Sequence, residues 1–194
     1  MRAFSTNCFR SLLGGAGAML ASAAAGAAGL NLGVAAGIDR GRVDCVAAFA
    51  CDRSSNHAKV FVGYQLSDSI DLQAVYFDGG RFKGGDTTPL GTQFGGDFKV
   101  NGFGLTAGYR WEFAPSWSLS ARGGLASVRT RFDYASPFSG SASQTRTQPL
   151  LDLSIGYAIA PNWRLGLDYD LTRFKVHTTH GPLQMLGLST QFSF

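Results

Sequence analysis

Residues 103–113 read FGLTAGYRWEF, and this stretch decides the fold. Every second residue, from Phe103 to Phe113, is apolar or aromatic, and the residues between them are small, hydroxylated or charged. A period of two describes a β-strand, because successive side chains of a strand point to opposite faces. The stretch therefore predicts a strand with one continuous apolar face and one face of small and charged side chains.

The same alternation recurs along the chain in segments of about ten residues, the length of a membrane-spanning strand. The eight predicted strands carry their apolar faces over residues 30–38, 60–66, 70–76, 103–113, 117–125, 151–159, 163–171 and 186–194. Short turns at 67–69, 114–116 and 160–162 alternate with longer polar segments at 40–57, 78–97, 132–148 and 176–182. An even strand number with short turns at one end and long loops at the other is typical of an outer-membrane barrel.

A soluble β-sandwich or lipocalin-like barrel is the alternative, and the second face of each strand distinguishes the two. A soluble barrel would cover that face with solvated Lys, Glu and Thr. Here it is rich in Gly and Ser with scattered charges of both signs, which suits the interior of a narrow barrel. We therefore predict an all-β fold, an eight-stranded antiparallel up-and-down transmembrane barrel whose large residues face lipid. Its interior ion network, in which each charge needs a partner, is predicted to contain Arg110, Glu112, Arg122, Asp152, Arg164 and Asp168.

The composition excludes other classes of protein. The 194 residues are 45% hydrophobic and 12% aromatic with a net charge of +4, which is incompatible with intrinsic disorder. Only one glutamate occurs, Glu112, and the chain lacks long stretches of Leu, Ala, Glu and Lys. Such stretches build helices, so a helical soluble enzyme is not expected.

The N-terminal segment has a different character. Arg2 and Arg10 precede an uncharged stretch rich in Ala and Gly, which ends in small residues such as Ala25-Gly26-Ala27. This order predicts a secretory signal peptide over residues 1–27 and the barrel over residues 28–194. A transmembrane anchor is the alternative, but Ala and Gly insert weakly. Cleavage would remove two arginines, which argues against nucleic acid as a partner.

Cleavage would also remove Cys8 and leave a single pair of cysteines. Cys45 and Cys51 lie in a polar predicted loop, and in an oxidising compartment such a pair predicts a disulfide that braces the loop. A metal site that includes His57 is the alternative. Because two sulfurs and one histidine are a poor zinc-binding set, we predict neither a metal nor a cofactor.

Two segments carry a resemblance to a known family: residues 59–66, KVFVGYQL, and residues 186–194, LGLSTQFSF. The mature chain resembles the OmpA-type eight-stranded outer-membrane β-barrel family, as a barrel without the family's peptidoglycan-binding domain. The resemblance implies the outer membrane of a Gram-negative bacterium. The terminal Phe194 resembles the signal read by the barrel-assembly machinery, and a tether to the cell wall is not expected.

Nucleophilic catalysis would need a Ser or Thr beside a His that a carboxylate orients. The histidines that follow the signal segment, His57, His177 and His180, all fall in predicted loops. Residues 177–181, HTTHG, invite comparison with outer-membrane lipid A deacylases and phospholipases but contain no His-x-Ser motif. We therefore predict no enzyme. The expected role is structural, with loops that bind an unknown surface ligand; a small pore and, more remotely, a lipid A-modifying enzyme are the alternatives.

Basic pairs mark the ends of the four strands that run toward the long loops. A spacing of two puts both members of a pair on one face. The pairs predict a collar that binds the phosphates of lipopolysaccharide, with generic rim charge as the alternative. They are Arg40 with Arg42, Arg81 with Lys83, Arg129 with Arg131, and Arg173 with Lys175, of which the second would point inward unless a bulge shifts it.

Aromatic residues mark both ends of the predicted barrel. Trp111, Trp117 and Trp163 lie beside the short turns and predict a periplasmic aromatic girdle. At the opposite end the predicted rim aromatics are Tyr76, Phe98, Tyr134 and Tyr169.

Overall fold

The protein folds as a closed barrel of eight antiparallel strands that follow one another in chain order. The computed structural model describes residues 29–41, 52–87, 93–135, 140–176 and 179–194. The strands are β1 (Leu30–Gly41), β2 (Ser54–Gln65), β3 (Ile70–Thr87), β4 (Gln93–Ala114), β5 (Trp117–Tyr134), β6 (Ser141–Ala160), β7 (Trp163–Val176) and β8 (Thr179–Ser193). Pairing of β1 with β8, with Leu32 opposite Phe192, closes the ring. The predicted fold class is confirmed.

Among the described residues, no helix is long and apolar enough to cross a membrane.

Near the short turns, each strand follows the alternation seen in the sequence. In β4, Leu105 and Tyr109 point outward and are exposed, whereas Thr106 and Arg110 point inward and are buried. An apolar outer surface of this kind is stable when lipid covers it. This part of the barrel is therefore the membrane-spanning belt.

Toward the long-loop end the apolar residues occupy the inward-facing positions, and no longer the outward-facing ones. In β4, Phe98 and Val100 face inward with 0% exposure, and Lys99 between them faces outward. In β5, Phe132 is likewise buried behind the outward Arg131. The outer part of the barrel is thus packed like a soluble protein, with apolar side chains inside and charges outside. The change of pattern marks the membrane surface.

This inversion corrects several boundaries predicted from sequence. Most residues of the predicted loops 78–97 and 132–148 belong to strands, since β3 runs to Thr87 and β6 begins at Ser141. Their apolar residues are on the face opposite to the lipid-facing one, so they do not continue the outward pattern of the belt. Antiparallel pairing extends to Thr87 opposite Gln93 and to Asp133 opposite Ser141, which satisfies the backbone there.

For the same reason, residues that the sequence analysis assigns to a loop or to the outer rim lie in the barrel interior. His57 lies inside β2 and is buried in the barrel interior, and not in a loop as predicted. Phe98, predicted at the outer rim, lies in the interior because its position has the inward parity of Gly102 and Gly104.

A β-bulge in β3 keeps one basic pair on the outside. Pairing of β3 with β4 shifts between Asp78 and Arg81. Gly80 adopts φ +63°, its N–H donates to Asp78 Oδ1 at 3.0 Å, and the Arg81 N–H donates to Ser55 Oγ at 2.9 Å. The bulge changes the strand's parity, so that Arg81 and Lys83 are exposed to the outside.

Candidate functional site

One buried lysine links opposite walls of the barrel in its membrane-spanning half. Lys59 extends inward from β2, and its Nζ lies 2.6 Å from Asp170, 3.1 Å from Asp152 and 3.1 Å from Asp168. The aspartates belong to β6 and β7, on the opposite side of the strand ring. A single ammonium group is therefore the shared partner of three buried carboxylates.

A second cation extends the network to β3. The guanidinium of Arg122 donates from Nε and Nη2 to the two oxygens of Asp71, both at 2.9 Å, and from Nη1 to Asp152 at 2.8 Å. Arg110 adds a longer contact to Asp71 at 3.3 Å. Because Asp152 contacts both Arg122 and Lys59, the ions form one connected network across the lumen.

The cavity that adjoins the network is small. The cavity between its side chains and the serines of β5 and β6 has a volume of about 20 Å³. One water molecule requires about 10–15 Å³ of such space, so the cavity holds roughly one. The inward glycines provide the room that the arginines occupy: a Cβ at Gly108 would lie 2.3 Å from Cγ of Arg122.

Apolar side chains fill the interior beyond the ion network, toward the long-loop end. The Phe98 and Phe132 rings pack with their centroids 4.6 Å apart. We call the following members of the buried apolar cluster, which Phe61, Val75 and Ala126 complete, the apolar plug: Phe77, Phe82, Phe98, Val100, Val128, Phe132, Leu150, Phe174, Leu183 and Met185. Along the described strands the lumen is thus closed twice, by ions in one half and by the apolar plug in the other.

On the outside, the rim cations fall into two groups with different surroundings. On β3 to β5, Arg81 is opposite Lys99, and Lys99 is opposite Arg131. Carboxylates accompany this group: Lys99 lies 3.7 Å from Asp78, and Arg131 donates to Asp133 at 2.8 Å. Its positive charge is therefore partly neutralised.

The other group lies on β7 and β1, which flank β8. Arg40, Arg173 and Lys175 all face outward and are exposed. None of the three has an ion pair with any described residue. Arg42, the predicted companion of Arg40, lies outside the described residues.

Aromatic residues surround the short-turn end. Trp111, Trp117 and Trp163 are all exposed on the outward face. Trp117 packs against Tyr157 with ring centroids 5.0 Å apart, and Trp163 packs against Phe192 at 6.4 Å. The three tryptophans thus lie on the outward face beside the short turns, and their role as an interfacial girdle stays a prediction.

The model of the outer membrane protein beta-barrel domain family matches residues 11–193. The chain belongs to this family. It is accordingly a protein of the outer membrane of a Gram-negative bacterium, as the resemblance implied. No curated protein matches the sequence.

Several solved outer-membrane barrels are similar to this family member. Neisserial surface protein A superposes with a TM-score of 0.64 at 19% identity, over 87% of this chain and 99% of that chain. OprG from Pseudomonas aeruginosa gives 0.57 at 14% identity, over 87% and 98%. Ail, the attachment invasion locus protein of Yersinia pestis, gives 0.50 at 16% identity, over 84% and 98%. At these identities the likeness establishes a common fold.

The interior network of this barrel differs in part from the predicted one. The structure brings Arg110, Arg122, Asp152 and Asp168 together in the connected network. Glu112 and Arg164 form a separate pair at 3.6 Å, and the Glu112 side chain is 67% exposed. The physical reason is position, because Glu112 lies beside the short turn at 115–116, where the lumen opens to water.

Sequence reasoning missed the centre of the network. Lys59 was not assigned to the interior, although it has the same parity as Gly63 and Gln65, which the sequence already places on the inward face. Asp71 and Asp170 also have inward parity, and they belong to the network although the predicted set does not include them. In the described part of the chain, no group of three His, Cys, Asp or Glu side chains could hold a metal ion.

The Cys45–Cys51 disulfide lies outside the described residues and stays a prediction. We expect mass spectrometry of non-reduced peptides from membrane-derived protein to find the two cysteines linked. A Cys45→Ser/Cys51→Ser variant should remain folded, because the strands carry the backbone hydrogen bonds of the barrel. Two free thiols in protein from the native membrane would refute the pairing.

Proposed function

We propose that this protein is a closed structural barrel that stabilises the outer membrane and presents an external surface for binding, and that it does not act as a pore. The observation that carries the proposal is the filled lumen. The Lys59–Arg122 network closes one half, and the apolar plug closes the other. Ions would have to displace paired buried charges and then cross packed phenylalanines, and both steps are costly.

A surface-interaction role is supported by the strands that rise beyond the membrane belt. Pairing of β3 with β4 continues to Thr87 and that of β5 with β6 to Ser141, whereas β6 pairs with β7 only from Leu151. Four strands therefore project as a sheet on the long-loop side. A rigid projecting sheet is a suitable platform for recognition of an unidentified ligand.

Two further partners are part of the proposal. The outward basic residues favour the lipopolysaccharide of the outer leaflet. The C-terminal Phe194, whose ring packs edge-on against Phe192 at 5.2 Å, favours recognition by the barrel-assembly machinery during biogenesis. No nucleic acid is proposed as a partner.

We propose no catalytic role. His57 is buried in the interior, and its Nδ1 has no hydrogen-bond partner among the described residues. Nucleophilic catalysis by a Ser–His pair uses a carboxylate on that nitrogen to orient the ring. This arrangement supports His57 as a packed interior residue.

Planar-bilayer recording of the purified protein tests the closed barrel. We expect heat-modifiable electrophoretic mobility, which reports a folded barrel, together with no stable conductance. Large and steady open channels formed by heat-modifiable protein would overturn the proposal. A lipid A hydrolysis assay on the same sample should detect no product, and hydrolysis that is lost in His177→Ala would replace the structural role with an enzymatic one.

A further inference from the structure

We infer that the outward face of β7, β8 and β1 carries a specific site for the phosphates of lipid A, formed by Arg40, Arg173 and Lys175. The inference rests on the proposed association with outer-leaflet lipopolysaccharide and narrows it to one side of the barrel. Of the two groups of rim cations, the inference concerns the group that has no ion pair with a carboxylate in the described part of the chain.

Charge complementarity is the first argument. In the described segments, no Asp or Glu lies on the outward face of β1, β7 or β8, and the aspartates of β7, Asp168 and Asp170, are buried inside. Among the described residues, the three cations therefore have no ion pair with a protein carboxylate, whereas Lys99 and Arg131 on the opposite side have Asp78 and Asp133. An unneutralised cluster favours an external anion more strongly than a neutralised one.

A groove at the membrane surface is the second argument. A cavity of about 270 Å³ is lined by Ile38, Tyr169, Leu186, Gln184 and Arg40. Ile38 and Leu186 belong to the lipid-facing belt, and Arg40 follows Ile38 on the same face of β1. The groove thus joins an apolar region that fits an acyl chain to a cation that fits a phosphate.

A second cavity lies farther along β8, on the side of β7. Pairing of β6 with β7 ends at Leu151 opposite Leu171, whereas β7 and β8 remain paired up to Val176. Where β6 and β7 separate, a cavity of about 510 Å³ is lined by Gln148, Arg173, Phe174, Lys175, His180, Gly181 and Pro182. Most of its polar lining consists of nitrogen-bearing side chains, which can donate hydrogen bonds to phosphate oxygens.

The spacing of the cations matches a ligand with two phosphates. Arg40 is opposite Gln184 and Arg173 is opposite Pro182, so the two arginines flank β8 on either side. Two strand spacings across β8 and an offset of two residues along it separate their Cα atoms by about 12 Å. Lipid A is a disaccharide with a phosphate at each end and several acyl chains, so one molecule offers an anion to each side and apolar chains to the groove. Arginine can bind a phosphate through two parallel hydrogen bonds.

Two triple variants test the site with equal changes of charge. The site variant is Arg40→Gln/Arg173→Gln/Lys175→Gln, and the matched control on the opposite rim is Arg81→Gln/Lys99→Gln/Arg131→Gln, which also removes two arginines and one lysine. Binding of bis-phosphorylated lipid A to each purified barrel in zwitterionic detergent is measured by native mass spectrometry. We expect the affinity of the site variant to fall about tenfold or more and that of the control to change by less than about twofold.

The outcomes separate the site from its alternatives. Equal losses in both variants would reduce the site to generic rim charge, and no loss in the site variant would refute it. Wild-type protein that binds lipid A without phosphates as tightly as the bis-phosphorylated form would also refute it. Both variants should keep heat-modifiable mobility, which confirms folding. Conductance is recorded separately, so a failure of the closed-barrel proposal is distinguishable from a failure of this site.

Discussion

Lys59→Met is expected to destabilise the barrel by about 3–5 kcal/mol, because breaking a buried ion network leaves uncompensated charges. Lys59 Nζ is the shared partner of Asp152, Asp168 and Asp170, and methionine occupies a similar volume without the charge. Three carboxylates would then remain in the lumen with one cation fewer. Urea unfolding in lipid vesicles, followed by tryptophan fluorescence, measures the free energy of unfolding.

The matched control makes the same substitution at the rim. Lys99 lies 3.7 Å from Asp78, and both side chains are more than one-third exposed. Exposed ion pairs contribute about 0–1 kcal/mol, so Lys99→Met should be close to neutral. Replacing Asp170 with leucine in the Lys59→Met protein should restore part of the loss, since it removes one of the orphaned charges. Equal stabilities of the two lysine variants would show that the interior network does not hold the barrel together.

The belt of the barrel was predictable because lipid imposes one rule on all eight strands. Each strand places apolar residues outward and small or charged residues inward, as residues 103–113 do. The short turns, the strand number and the outward position of the three tryptophans follow from that rule. Even the outward position of Arg81 and Lys83 follows once the Gly79-Gly80 bulge is included.

The outer half of the strands was not predictable in this way, because its solvent is water. Beyond the membrane surface the apolar residues turn inward, as Phe98 and Phe132 do, and the outward face becomes charged. Beyond the membrane surface, the outward-facing positions no longer carry the apolar residues that identify a lipid-facing strand. The Gly and Ser content of these segments then favours loops. Within one strand, the apolar residues change from the outward-facing positions to the inward-facing ones. This change would have been the signal for the apolar plug.

The ion network was predictable in composition but not in pairing. Parity places Arg122 and Asp152 inside, and they are cross-strand partners at 2.8 Å. Lys59, by contrast, contacts carboxylates on the opposite side of the lumen, and these carboxylates belong to strands that are far from β2 in the sequence. Such contacts depend on closure and on the stagger of the strands, which single-strand patterns do not encode.

Phe98→Ala is expected to cost about 3–5 kcal/mol of stability, because it leaves a cavity in the plug. Phe98 is fully buried and packs against Phe132, so the two alanine substitutions should be coupled by about 0.5–1.5 kcal/mol in a double-mutant cycle. The matched control is Phe103→Ala in the same strand. Phe103 faces outward, where lipid tails fill the space that the ring leaves, so only the transfer free energy of about 1.5–3 kcal/mol is lost.

The same variants separate the two closures of the lumen. The Phe98→Ala/Phe132→Ala protein should still show no stable conductance, since the Lys59–Arg122 network fills the other half of the barrel. Urea unfolding and bilayer recording on the same preparations measure both quantities. If Phe98→Ala costs no more than Phe103→Ala, the outer interior is not a packed core. If the double variant conducts steadily, the ion network alone does not close the barrel.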